Sequence, residues 1–195
     1  GGSIILNRKM RNEDLLHFAN ADYPIVVLDR IIDYPYIKSV VVNNYEPMYE
    51  LIQEVVDRGY RSFGYIGGPE DTADNKERYQ AFSDVLCANH ILFQQKSYFH
   101  GDYREKSGYN AARILMFSRE LPDCLVCAND NMAIGAMKAF RENGIHVPED
   151  IAITGFDNCD LAEAMDLTTV SIPNYERGYL AARYLIENIR EQRDT

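Results

Sequence analysis

Basic residues are in short supply in this chain: 20 Lys and Arg stand against 30 Asp and Glu, a formal charge of −10. Nucleic acid is gripped through clustered Lys and Arg, so this stretch is not expected to hold DNA or RNA by itself. No apolar run is long enough to span a bilayer, and the first residues lack the pattern of a secretory signal. A cytoplasmic location with no membrane contact is the expectation, though a processed export precursor would read the same way. The four histidines (His17, His90, His100 and His146) have no neighbours at metal-ligand spacing, so no metal or cofactor is expected. Also missing are the phosphate-binding Gly-x-x-x-x-Gly-Lys loop, the Gly-x-Ser-x-Gly elbow and the His-Glu-x-x-His motif. Gly64-Tyr-Ile-Gly67-Gly68 only echoes a dinucleotide loop, with the wrong spacing. Cysteines number four: Cys87, Cys124, Cys127 and Cys159. Cys124 and Cys127 lie in an apolar run that reads as a strand, where residues three apart point to opposite faces. They are expected to be reduced thiols used as small core hydrophobes.

What is present reads as an alternation of strands and helices. Continuous apolar runs at Ser3–Leu6, Ile25–Leu28, Ser39–Val42, Ser62–Ile66, Cys124–Cys127 and Ile151–Thr154 predict parallel strands covered on both faces. Met48, Leu51, Ile52, Val55 and Val56 form a helical stripe that Gly59 should stop. Ala133, Ala136, Met137 and Phe140 form another, closed by Gly144 with Pro148 following. Further helices are predicted over Lys76–Asn89, Arg104–Phe117 and Asn174–Arg190. The repeated strand–helix order gives a doubly wound α/β fold. Residue 1 falls just before a buried strand and the chain stops just after a helix, so part of the fold is expected to lie outside this stretch.

Polar residues cluster where strands end. Asn7 follows the first apolar run, Asp29 and Arg30 the second, and Gly67-Gly68-Pro69 the fourth, with Arg78 soon after. Asn129 and Asp130 follow Cys124–Cys127, and Asp157 with Asn158 follows Ile153-Thr-Gly-Phe156. In open α/β sheets these carboxyl edges face one crevice, where ligands bind. Carboxylates, amides and an arginine suit the vicinal hydroxyls of a sugar, and nothing in the set requires a reaction. Each residue also has a plainer role open to it. Asn129 or Asp130 can cap the next helix, Asp29 and Arg30 can be a surface pair, Arg78 can lie on a solvated face, and Tyr103 can be loop packing beside Tyr98, Phe99 and His100.

The run Cys127-Ala-Asn-Asp-Asn-Met-Ala-Ile-Gly-Ala-Met-Lys-Ala-Phe140 resembles the signature of LacI/GalR bacterial transcription regulators. The resemblance continues in register through Gly144–Ile151, Gly155-Phe-Asp-Asn158 and Leu167-Thr-Thr-Val170, and Arg78-Tyr-Gln-Ala-Phe82 is similar to the family's arginine-led helix start. It implies a periplasmic-binding-protein-like (type I) fold, two doubly wound parallel-sheet subdomains around a cleft. Residues 1–41 with 173–195 would form an incomplete N-subdomain and residues 42–172 the C-subdomain. It further implies a small-molecule, sugar-like effector contacted by Asn7, Asp29, Arg78, Tyr103, Asn129 and Asp157, with Tyr103 stacking on the ligand ring. Ile172 stands where the family often carries a polar residue. DNA would be bound only through a helix-turn-helix domain absent from this chain. The family also implies a homodimer, and the candidate surface here is the helix at Glu46–Val56 with Ile91, Leu92 and Phe93. A transport-linked periplasmic sugar-binding protein and an enzyme on a doubly wound sheet are the competing classes.

Overall fold

The computed structural model describes residues 1–6, 10–118, 120–157, 159–171 and 174–191. The described elements run, in chain order, β1 (Ser3–Ile5), α1 (Asn12–Phe18), β2 (Ile25–Leu28), β3 (Ile37–Val40) and α2 (Tyr45–Asp57). They continue with β4 (Phe63–Gly67), α3 (Ala73–Ala88), a 3-10 turn (Gln95–Ser97), β5 (Tyr98–His100) and α4 (Glu105–Leu115). The last are β6 (Cys124–Cys127), α5 (Asp130–Glu142), β7 (Ala152–Thr154), α6 (Asp160–Ala164) and α7 (Asn174–Glu191). The chain divides into two compact units, Gly1–Val42 with Pro173–Thr195, and Asn43–Ile172.

The first unit is a parallel sheet in the order β1-β2-β3. Alternation along β2 fills two cores, because successive side chains leave opposite faces of a strand. Ile25 and Val27 join Leu15 and Ala19 on one side. Val26 meets Val40 and Ala181, so that α7 covers the other face. The third strand lies two residues earlier than the run Ser39–Val42 suggests. Pairing of Ile37 with Ile25 puts Ile37 into the α1-side core, and Val41 is left half exposed. The short α1 was not expected from the pattern, and it has one buried residue, Leu15.

The second unit is also fully parallel, ordered β5-β4-β6-β7. Phe63 and Tyr65 of β4 pack on Phe82 of α3, with ring centroids 6.1 and 4.8 Å apart. Tyr65 also stacks on Tyr98 of β5 at 5.7 Å. That three-residue edge strand falls in a segment read from sequence as loop; its run of Tyr, Phe and His carries no alternation to mark it. The predicted helix stops are in place: Gly59 and Gly144, with φ of 102° and 73°, follow α2 and α5, the left-handed conformation that glycine adopts without cost. Cys124 and Cys127 are free thiols with no exposed surface, as expected of core hydrophobes.

Two of the helices in this unit touch backbone to backbone. A Cβ on Gly108 of α4 would collide with the carbonyl of Met132, and one on Gly135 of α5 with the carbonyl of Glu105. The two glycines let α4 and α5 approach closely, and so hold the start of α5 beside the loop that carries Tyr103.

Candidate functional site

The second unit gathers its polar groups where β4, β6 and β7 end. Arg78, on the second turn of α3, is 6% exposed, and a cation so deeply placed must have its donors met. Its Nε donates to Asn44 Oδ1 at 3.0 Å, one terminal nitrogen to the Ala128 carbonyl at 2.6 Å, and the other to Asp157 Oδ1 at 3.3 Å. The guanidinium lies 4.1 Å above the Phe156 ring centroid and 5.9 Å from that of Tyr103. Three of five N–H groups are therefore engaged with these groups, and the planar face rests on aromatic carbon. The side chain of Asp157 is 40% exposed, so the Arg78–Asp157 pair is buried at one end and open at the other.

Asn129 follows β6 and caps α5, its side-chain oxygen accepting from the Met132 amide at 3.1 Å. Its Nδ2 donates to the Tyr103 carbonyl at 3.0 Å. The amide thus starts a helix and ties down the neighbouring loop together. Asp130, 1% exposed, accepts from the Cys159 amide at 2.7 Å and from the Thr169 hydroxyl, so it braces the segments after β7.

The half-buried Tyr103 ring lies against Gly68, where any Cβ would strike it. Gly67 likewise leaves room for the Tyr98 hydroxyl. The Gly67-Gly68 pair therefore serves close approach of two tyrosines. Asn75, 3% exposed, accepts from the Gly68 amide at 2.7 Å and holds that turn. Nothing marked Asn44 or Asn75 in the sequence, since an asparagine at a helix start most often caps it. Here Asn44 makes no side-chain cap to α2.

Five described non-glycine residues hold positive φ, among them His90 (56°) and Asp166 (55°), which follow α3 and α6. Asp29, Tyr103 and Asp157 have φ of 58°, 67° and 106°. Left-handed backbone outside glycine is costly, and such residues concentrate at ligand sites. Of the six residues singled out from sequence, Arg78, Tyr103, Asn129 and Asp157 are joined by the contacts above. Asp29 ends β2 in the first unit, where its amide donates to the Val40 carbonyl at 3.0 Å. Asn7, together with Asn158 and Ile172, lies outside the described residues. Among the described residues no cluster of His, Cys, Asp and Glu could hold a metal ion.

The arrangement can accept and donate hydrogen bonds around an aromatic wall. Burial pushes the pKa of the Tyr65 phenol well above its ordinary value, with Tyr98 and Tyr103 nearby adding to the shift, so this tyrosine stays a neutral phenol under the site.

Comparison with known proteins bears on the fold and the family. Residues 52–195 match the model of the periplasmic binding protein-like domain family. The chain is 30% identical over 193 residues to the probable HTH-type transcriptional repressor ExuR of Bacillus subtilis, an alignment covering 97% of this chain and 58% of that protein. It is 29% identical over 175 residues to the HTH-type transcriptional repressor PurR of Aliivibrio salmonicida, covering 89% and 53%. The chain thus spans a little more than half the length of these curated relatives. Among solved structures, a sugar-binding transcriptional regulator of the LacI family from Enterococcus faecalis superposes with a TM-score of 0.86 at 29% identity, covering 97% of this chain and 71% of that one.

Proposed function

The chain belongs to the periplasmic-binding-protein-like domain family, in the form carried by LacI-family transcriptional regulators, and from this we propose that it is the effector-binding sensor of such a regulator. The effector is a small sugar-like molecule, and its binding controls an attached helix-turn-helix domain. The observation that carries the reading is the Arg78–Asp157 pair. A guanidinium fixed by Asn44, Ala128 and Phe156 turns toward a half-exposed carboxylate, which is how a site presents a donor and an acceptor to vicinal hydroxyls. Tyr103 supplies the ring face, and Asn129 holds the loop that carries it. The relatives being regulators, the reading carries no catalytic residue and no cofactor. It includes a cytoplasmic location and a homodimer, since a two-headed DNA reader pairs with a palindromic site.

A thermal-shift screen with D-glucose, D-galactose, D-ribose, their phosphates and free purines tests this. A true effector at a hundred times its dissociation constant should add about 2.7 kcal/mol of stability. Asp157→Ala should then weaken binding of that compound by about 2–5 kcal/mol in calorimetry. Unchanged affinity in Asp157→Ala would remove Asp157 from the site. Arg78→Ala is a poorer probe, because it also strips partners from Asn44 and Ala128 and should destabilise the fold itself.

A further inference from the structure

Among the described residues Asp130 is the one buried carboxylate. A charge so placed must be met by hydrogen bonds or by a cation. Its Oδ2 accepts from the Cys159 amide at 2.7 Å, its Oδ1 accepts from the Thr169 hydroxyl, and its own amide donates to the Phe156 carbonyl at 2.9 Å. It stands at the start of α5, where the helix dipole favours a negative charge. These partners bracket Asp157. Phe156 precedes it and Cys159 lies two residues beyond it. Thr169 sits between Thr168 and Val170, whose carbonyls accept from the amides of Gly155 and Asp157 at 2.8 and 2.9 Å. A Cβ on Gly155 would strike the Asp130 carboxylate, so that glycine is what admits it. Asp157 holds φ at 106°, a backbone that a non-glycine residue keeps only where its surroundings over-determine it.

We propose that Asp130 is the positioning residue of Asp157, holding its left-handed backbone through Phe156, Cys159 and Thr169. This rests on the reading of Asp157 as an effector contact and accounts for how its carboxylate is aimed. All of these groups belong to the second unit. Relaxed to an extended backbone, residue 157 would send its side chain in another direction and lose Arg78, which lies 3.3 Å away. The hold reaches Phe156 as well, whose ring carries the guanidinium at 4.1 Å. One carboxylate therefore sets both the aromatic floor under Arg78 and the acceptor at its end. A carboxylate suits the task because each oxygen takes a different donor, here an amide N–H and a hydroxyl. Asparagine can replace it, since the Thr169 hydroxyl accepts as readily as it donates; alanine cannot. An acceptor set in advance spares the ligand the cost of ordering it.

The test reads backbone strain at residue 157 and needs no ligand, so its outcome is independent of the effector assignment. Asp157→Gly and Asp157→Ala remove the same carboxylate, but glycine takes positive φ freely and alanine does not. In the otherwise native protein Asp157→Gly should therefore have the higher urea midpoint, with a folding equilibrium constant about fivefold larger than that of Asp157→Ala. In the Asp130→Ala background residue 157 is no longer held, and the gap should close. With Asp130→Asn, where the Thr169 hydroxyl can turn, the gap should reopen. His90, at φ 56° after α3, is the control: the gap between His90→Gly and His90→Ala should be the same in every background. A residue-157 gap that survives Asp130→Ala unchanged would show that Asp130 only stabilises the fold, and would overturn the proposal. So would a gap that closes without reopening in Asp130→Asn, or one that closes at His90 as well. If Asp130→Ala does not fold, Thr169→Val takes its place by removing one of the two donors. The residue-157 gap should then narrow, and an unchanged gap refutes the positioning role.

Discussion

At the scale of single residues, burial decides which groups are chemically available. Cys124 and Cys127 have no exposed surface, and burial pushes the Cys124 thiol up to about 12, with Asp123 adding to it. Burial raises Cys127 in the same direction. Thiolate is the reactive form, so both should resist a thiol reagent in the native protein, while the exposed Cys87 reacts at once. Titration with a chromogenic disulfide before and after urea checks this, and rapid native reaction at Cys124 would contradict the burial. The same shift has a consequence for stability. An unfolded thiol ionises near its ordinary 9.0 while the folded one stays protonated to about 12. The stabilisation is therefore whole below pH 9 and declines through the interval above it. Urea midpoints should fall between pH 9 and 11, and less steeply in Cys124→Ala.

Among the elements, the contact of α4 with α5 is the most sensitive to side-chain size. Each glycine faces the other helix's backbone, which cannot move aside as a flexible side chain can. Gly108→Ala and Gly135→Ala should each cost about 1–3 kcal/mol by overpacking, despite alanine's better helix propensity. Denaturant titration gives the value, and a stabilised variant would mean that the helices can separate freely. At the start of α5, Asn129→Ala removes a cap to Met132 and should cost about 1 kcal/mol. It also frees the Tyr103 loop, so its effect on ligand binding should exceed its effect on stability. Of the two roles open to Asn129 in the sequence, the structure shows the cap, with the other end of the amide tied to the Tyr103 carbonyl.

For the whole molecule, charge and exposed apolar surface govern association. With a formal charge of −10, this chain alone should not shift duplex DNA in a gel at physiological salt; salt-sensitive binding would overturn that expectation. The surface suggested for self-association is changed by the fold. The apolar stripe of α2 is spent internally, with Met48, Leu51, Ile52, Val55 and Val56 all buried. Phe93 packs on Phe82 at 5.0 Å, and of the trio only Leu92, 93% exposed, faces outward. A dimer mass by light scattering at micromolar concentration is the expected result, with Leu92→Glu lowering it if this face takes part.

Periodicity and strand-end polarity were enough to determine the α/β class, the parallel sheets and the glycine stops, because these follow from local spacing and backbone sterics. The signature Cys127–Phe140 and the motifs in register with it also pointed to the family, which the comparisons bear out. Short elements were illegible: β5 and α1 owe their existence to neighbours, having too few residues for a period to show. Spacing could place Arg78 near a strand edge but could not say what holds it. Asn44 and Phe156 meet its guanidinium from positions 34 residues before and 78 residues after it in the chain, and Ala128 from 50 residues on. Contacts of that separation carry no local pattern, since they arise only when parallel strands bring distant carboxyl ends together. The tertiary structure alone decided that Gly68 makes room for Tyr103, that Asn129 is both cap and tie, and that one buried arginine joins these strand ends.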